Sequence, residues 1–140
     1  KYLRGDESAI SADEKAGYEL FKSYGCAVCH QGRNVGGNMF SVMGITADYF
    51  GDRGDETKVD LGRFNVTRDK EDLYKFKVPS LRLVVLTAPY FHDGRVQDLS
   101  TAIDYMAKYQ LGRHITPEDK QLIIKFLYTL PGEYKGKPLL

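Results

Sequence analysis

The segment Cys26-Ala27-Val28-Cys29-His30 constrains the fold of this chain more than any other feature of its sequence. We expect a helical turn beginning near Gly25, on which the two thiols and the imidazole share one face. In that arrangement the cysteines can bond to the vinyl groups of one haem while the histidine ligates its iron, which is the c-type attachment pattern. The segment therefore predicts one covalently bound haem c.

Three other kinds of site use cysteine pairs, and each fits this sequence less well. Zinc sites of this type need four Cys or Cys/His ligands, but the chain has 2 Cys, and its other histidines are distant from them in sequence. A thioredoxin-like redox pair requires a preceding strand, whereas a capped amphipathic helix precedes Cys26. A structural disulfide stays open, although it would leave the middle of the chain without a core.

The middle of the chain, residues 31–68, is rich in Gly, Asp and Asn and poor in aliphatic side chains. A segment of that length without regular structure is unusual in a compact domain unless another group organises it. An embedded apolar cofactor would do so. The acidic run over 48–60 predicts a solvated loop; its spacing is not that of an EF-hand, and a partner-docking role is left open.

The two ends of the chain carry the clearest helix signals. A capping box over 11–14 predicts a helix that begins at Ala12 and is ended by Gly25. Thr116-Pro117 supplies an N-cap and a first helical residue for the last helix, which the following Pro-Gly pair stops. We expect these two helices to pack together, with Gly17 permitting a close approach.

Weaker signals lie between these helices. Asp98 is expected to cap a helix over 99–110, which Gly112 closes. A short helix is expected over 68–74. The run 83–86 is the only β-like segment, so the sequence predicts a mostly α fold.

Composition excludes several classes of protein. A length of 140 residues fits a single domain, residues 1–140. No stretch approaches the roughly 20 apolar residues of a membrane span, and a formal net charge of +1 gives no reason to expect a nucleic-acid partner. The first residues contain neither an initiator Met nor an apolar signal region, so we expect a mature or trimmed product.

A haem iron held by His30 needs a second axial ligand if it is to be six-coordinate. The candidates are Met39, Met43, His92, Met106 and His114. Met39 and Met43 follow His30 closely, so we expect them to pack on the macrocycle. Met106 lies on an apolar helix face with enough intervening chain to wrap the haem, and we expect it to be the ligand, although a lone Met on such a face is usually a core residue.

Three longer motifs carry a family resemblance. Gly62–Thr67 (GRFNVT), Phe76–Arg82 (FKVPSLR) and Leu86–Gly94 (LTAPYFHDG) occur in this order. Together they resemble the C-terminal haem domain of bacterial di-haem cytochrome c peroxidases, and the resemblance extends over nearly the whole chain. It implies a cytochrome c-like helical domain wrapped around one haem.

The resemblance also implies roles for individual residues. The haem of that domain has His and Met ligands, and the family's methionine matches Met106. His92 matches a histidine near the haem that is not its ligand, and Arg82 matches an arginine near the haem propionates. The backbone carbonyls of Thr87 and Pro89 match positions that help to hold calcium between two domains.

The chain also departs from the family. It has one CxxCH segment and no Trp, so the second haem and the bridging tryptophan are absent, and Leu83 stands where an Asn is frequent. A calcium site would need the second domain as well. In a related di-haem family a tyrosine takes the place of the Met ligand, which makes Tyr105 an alternative.

The resemblance implies that the domain accepts electrons from a small redox protein, a cytochrome or a cupredoxin, and passes them to a peroxidatic haem in a missing domain. The alternatives are a stand-alone electron carrier and a mono-haem peroxidase with a labile distal ligand and His92 as acid/base. Six-coordinate iron has no position for peroxide, so the chain alone is expected to carry electrons, and no catalytic residue is assigned. Thioether attachment of haem indicates the periplasm.

Overall fold

The computed structural model describes residues Lys1–Leu140 and is mostly helical, as expected. Its helices are α1 Ala12–Ser23, α2 Tyr49–Arg53, α3 Phe64–Thr67, α4 Leu99–Met106 and α5 Pro117–Tyr128. Two antiparallel pairs of short strands join β1 Phe40–Val42 to β2 Lys75–Lys77 and β3 Glu133–Tyr134 to β4 Lys137–Pro138. None of the helices combines the length and apolar character that crossing a lipid bilayer requires.

The predicted starts of the two terminal helices are confirmed. The Glu14 N–H donates to Ser11 Oγ at 3.3 Å and the Ser11 N–H donates to Glu14 Oε2 at 2.6 Å, which is a complete capping box. Thr116 Oγ1 accepts from the Asp119 N–H at 3.1 Å, and Pro117 is the first helical residue. These bonds satisfy backbone donors that have no partner within the helix.

The packing of α1 against α5 is the most extensive contact between two elements of the molecule. A methyl group at Gly17 would lie 1.9 Å from the carbonyl oxygen of Leu122, so the absence of a side chain permits the expected close approach. The buried residues of this core, called here the helix core, are Phe21, Ala107, Ile115, Ile123, Phe126, Leu127 and Leu130. The helix core therefore joins the two ends of the chain.

A second, smaller core is aromatic. Its buried members are Tyr49, Phe50 and Tyr109, and the partly buried side chains around it include Met43, Tyr74, Phe76 and Tyr105. Tyr49 packs edge-on against Tyr109 with ring centroids 5.1 Å apart. This aromatic core organises the middle of the chain, where the sequence offers few aliphatic side chains.

The helix expected over 99–110 is present but changes type along its length. Asp98 caps it, as expected, by accepting from the Thr101 N–H at 2.8 Å. The α-helix ends at Met106, and Ala107–Leu111 form a π-helical turn. Gly112 closes this turn in the left-handed region at φ 59°.

Two of the weaker expectations are wrong. The range 68–74 holds only a 3-10 turn, Lys70–Asp72, and the short α-helix lies before it over Phe64–Thr67, where Arg68 ends it with a left-handed φ of 61°. The β-like run 83–86 contains a 3-10 turn, Val84–Leu86, and the strands lie elsewhere. Four-residue apolar runs carry too little periodicity to distinguish a strand from a helical turn.

The expectation that 48–60 is simply a solvated loop is also wrong. Asp48 caps α2 by accepting from the Gly51 N–H at 2.9 Å. Asp60 is 1% exposed, because it is paired with Arg53 inside the protein. A run of charged residues in the sequence does not indicate which of them form a buried ion pair in the folded protein.

Candidate cofactor cavity

An apolar cavity of about 790 Å³ lies between the helix core and the aromatic core. Of the 32 residues that line it, 22 are hydrophobic, and none is an Asp or Glu. Its volume falls within the roughly 300–1,000 Å³ that cofactor sites occupy. The wall includes Cys26, Cys29, His30 and Met106, so the fold brings together the four residues expected to hold a haem.

The cysteine segment forms a tight turn rather than a longer helix. Cys26–Val28 is a 3-10 turn preceded by Gly25 at φ 98°, and the His30 N–H donates to the Cys26 carbonyl at 3.0 Å. Both thiols are free, so the disulfide that the sequence left open is not formed. Burial raises the pKa of the Cys26 thiol to about 11, so this side chain enters the cavity wall uncharged.

His30 is held in the form that can ligate a metal. Its Nδ1 lies 3.2 Å from the Pro79 carbonyl oxygen, which can only accept, so Nδ1 carries the hydrogen and Nε2 keeps a free lone pair. Burial lowers the pKa of His30 and favours the neutral ring. Gly36 makes this arrangement possible, since a methyl group there would lie 2.1 Å from the same carbonyl oxygen.

The π-helical turn after Met106 fixes another part of the wall. Gln110 Oε1 accepts from the Gly44 N–H at 2.7 Å, and its Nε2 donates to the Val42 carbonyl at 2.9 Å. These bonds fix the backbone on both sides of Met43, which lines the cavity. Packing of Met43 on the macrocycle stays a prediction. Sequence reasoning missed Gln110, because a polar residue at the end of a helix gives no sign of which loop it bonds.

Three of the other candidate ligands, Met39, Tyr105 and His114, do not line the cavity. The Tyr105 ring stacks on Phe91 with centroids 5.9 Å apart. His114 is exposed. Met106, by contrast, lines the cavity from α4. Its role as an iron ligand stays a prediction.

The structure does not place Arg82 in the wall of this cavity. Its Nε donates to the Arg33 carbonyl at 2.8 Å and its Nη1 to the Leu130 carbonyl at 3.4 Å. A propionate role for Arg82 stays a prediction and would require these bonds to be exchanged. Thr87 and Pro89 are exposed residues of the cavity rim, and calcium binding there stays a prediction as well.

His92 lies in the cavity wall and is bound to a buried carboxylate. Its Nε2 is 2.6 Å from Asp60 Oδ1, and its side chain is 17% exposed. The imidazole packs on the ring of Phe76, with centroids 4.5 Å apart. Its role as a histidine beside the cofactor rather than on the iron stays a prediction.

Arg53 completes the group around Asp60. Its guanidinium donates to both carboxylate oxygens, at 2.9 and 2.7 Å, and to Asp93 Oδ2 at 2.9 Å. The guanidinium holds the pKa of Asp60 well below its usual range, although burial alone would raise it. Ligand atoms of Asp60, His92 and Asp93 lie within 4.8 Å of one another, but this guanidinium already supplies the cation that the carboxylates require.

Most of this chain is similar in sequence to one part of bacterial cytochrome c peroxidases. It is 46% identical to the cytochrome c peroxidase Ccp of Escherichia coli (strain K12) over 134 residues, covering 96% of this chain and 28% of the relative. It is 42% identical to the cytochrome c551 peroxidase of Nitrosomonas europaea, covering 95% of this chain and 38% of the relative. No model of a protein family matches the chain.

Structural comparison agrees with these relatives. A crystal structure of a MauG-like protein associated with microbial copper homeostasis superposes with a TM-score of 0.77 at 27% identity, over 92% of this chain and 46% of that one. The cytochrome c-like helical fold and the resemblance to cytochrome c peroxidases are therefore confirmed. The chain spans only 28–38% of the length of its peroxidase relatives and corresponds to a C-terminal-like portion of them.

Proposed function

We propose that this chain is a periplasmic c-type haem domain that accepts electrons from a small redox protein and passes them to a peroxidatic haem in another domain. One observation carries the proposal: Cys26, Cys29, His30 and Met106 lie in the wall of a single apolar cavity. The relatives, named as cytochrome c peroxidases, support the same assignment.

Each of the four side chains suits its task. A bound haem supplies a one-electron iron couple. The thiols of Cys26 and Cys29 would fix it as thioethers, His30 offers the free Nε2, and a methionine sulfur raises the potential of the couple. The mostly apolar wall would surround such a group with hydrophobic side chains and limit its contact with water.

The rim of the cavity offers a surface for an electron donor. Val28, between the two cysteines, is 70% exposed and Ile45 is 58% exposed, yet both line the cavity. Exposed apolar side chains around an opening are typical of small, transient docking surfaces. A donor bound there would lie close to the cofactor.

Haem attachment is tested on the full-length holoprotein. We expect its mass to exceed that of the polypeptide by one haem, and its pyridine haemochrome spectrum to show thioether attachment through both thiols. The Cys26→Ser/Cys29→Ser variant should lack covalent haem. A colourless wild-type protein, or one that holds a metal without a macrocycle, would overturn the proposed function.

The role of Met106 is tested by comparing Met106→Leu with Met43→Leu, a change of the same size in the same cavity. We expect Met106→Leu to lose the weak red-edge absorption of a methionine–Fe(III) bond, to become high-spin and to fall in midpoint potential. Met43→Leu should retain all three properties, because it contributes packing alone. The reverse result would reassign the ligand.

A further inference from the structure

We propose that Arg53 and Asp60 are positioning residues that hold His92 in one orientation and tautomer against the cavity, and that they influence the cofactor through this imidazole. The inference deepens the function proposed above and rests on it. It concerns residues that sequence motifs alone do not single out, since Arg53 and Asp60 fall in the acidic middle of the chain.

The hydrogen bonds determine how the imidazole is held. A carboxylate only accepts, so Nε2 of His92 donates its hydrogen to Asp60 and Nδ1 is the remaining ring nitrogen. The Phe76 ring lies against the imidazole, and the Phe50 ring lies edge-on to it at 6.0 Å. The ring is therefore held at one nitrogen and by aromatic contacts with two neighbours.

Asp60 is itself fixed from several directions. The Thr57 N–H donates to its Oδ2 at 2.6 Å and the Thr57 hydroxyl donates to the same atom at 3.0 Å. Arg53 donates to both carboxylate oxygens, a two-point contact that prevents rotation of the group. The orientation of His92 is thus determined by groups from α2, from the turn Lys58–Leu61 and from the segment before that turn.

The location of the buried charge favours a role beyond stability. Buried ion pairs often stabilise a fold no more than apolar side chains of the same volume, since both charges lose their hydration. Asp60 is the one buried carboxylate of the acidic run, whereas the side chain of Asp52 is 50% exposed. The buried carboxylate is the one that contacts a histidine of the cavity wall, as is frequent for groups that serve a site.

The test is a double-mutant cycle on the holoprotein, read as midpoint potential. The variants are Asp60→Asn, His92→Gln and both together. We expect Asp60→Asn to shift the midpoint potential more in the wild-type background than in the His92→Gln background. Only the wild type has an imidazole whose orientation depends on the hydrogen bond to Asp60. The direct effect of the lost charge is present in both backgrounds and cancels in the comparison.

Asp93→Asn is the matched control. It removes the same charge from the same arginine, but Asp93 makes no hydrogen bond to His92. The shift in midpoint potential caused by Asp93→Asn should be the same in the wild-type and His92→Gln backgrounds. Equal Asp60→Asn shifts in the two backgrounds would overturn the inference, and they would show that Asp60 acts only as a charge.

An independent measurement and a second variant keep the inference testable if the first variant fails. Nitrogen-15 NMR of labelled histidine should show Nε2 protonated in the wild type, with that signature lost in Asp60→Asn; an unchanged signature would contradict the inference. If Asp60→Asn does not fold, Arg53→Lys keeps the charge but not the two-point contact, and it should alter the same signature. A protein without haem contradicts the proposed function, whereas a haem protein with additive shifts contradicts this inference alone.

Discussion

The carboxylate of Asp60 illustrates how much a single residue can determine in this molecule. It is 1% exposed and accepts hydrogen bonds from Arg53, Thr57 and His92. Because Arg53 lowers its pKa more than burial raises it, Asp60 is ionised in the folded protein at pH values where an unfolded chain has begun to bind a proton. Its contribution to stability therefore depends on pH.

The sign of this dependence gives a prediction. A lowered folded-state pKa contributes stability above the unfolded value of about 3.9, and that contribution is lost as pH falls through the folded value. We expect the free energy of unfolding of the wild type to exceed that of Asp60→Asn at pH 7, and the difference to shrink below about pH 4. Denaturant titrations of both proteins at several pH values measure it. A difference that stays constant down to pH 2.5 would contradict the assigned pKa direction.

Residues of the site differ in how far the sequence could predict them. The cysteines and His30 were predictable because their spacing within five consecutive residues is itself the chemical signature. Arg53 and Asp60 were not, because Asp60 meets His92 across 32 residues of chain. No local pattern encodes a hydrogen bond formed over that separation.

Among the secondary-structure elements, the contact between α1 and α5 depends on one small residue. A Cβ at Gly17 would lie 1.9 Å from the Leu122 carbonyl oxygen and 3.0 Å from Phe126 Cβ. Alanine favours a helix by roughly 0.5–1 kcal/mol over glycine, but overpacking costs about 1–3 kcal/mol. We expect Gly17→Ala to lower the free energy of unfolding by about 1–2 kcal/mol in denaturant titration.

Gly132 supplies the control for this substitution. A Cβ there would meet no atom within 4 Å, so Gly132→Ala adds the same methyl group in open space. It should leave the free energy of unfolding within about 0.5 kcal/mol of the wild type. Equal stability of Gly17→Ala and the wild type would show that α1 and α5 can separate without cost.

The elements themselves were predictable where their signals are local. The starts of α1, α4 and α5 follow from capping side chains three residues from the bonds they make, so the sequence alone locates them. The π-helical turn after Met106 has no such signal, because its carbonyls find partners in the distant Thr46. The end of α3 depends on the left-handed φ of Arg68. The sequence does not predict this conformation, because arginine has no preference for it.

At the scale of the whole molecule, the cavity takes the place of a continuous core. Only 16 of 140 residues are buried, and most of them belong to two clusters that both contribute residues to the cavity wall. The sequence already indicated that its glycine-rich middle needs an additional apolar group. It could not indicate that the middle would also build an aromatic core of its own, since those rings come from distant segments.

This arrangement predicts the behaviour of the protein without its cofactor. A group that binds only the folded state stabilises it, and removal of a group that fills the cavity would expose apolar walls. We expect Cys26→Ser/Cys29→Ser to bind the dye ANS, to lose near-ultraviolet circular dichroism from the aromatic core and to unfold without a sharp transition. A cooperative unfolding transition with native aromatic signals would show that the polypeptide alone specifies the fold.

The π-helical turn Ala107–Leu111 carries one residue more than an unbroken α-helix would need at this point. Deleting one residue from it would rotate everything beyond by about 100° around the helix axis. Tyr109 and Gln110 would then leave their partners, Asp52 and the loop at 42–44. When homologous chains are aligned, a gap inside this turn therefore marks a protein that must close its cavity with different side chains.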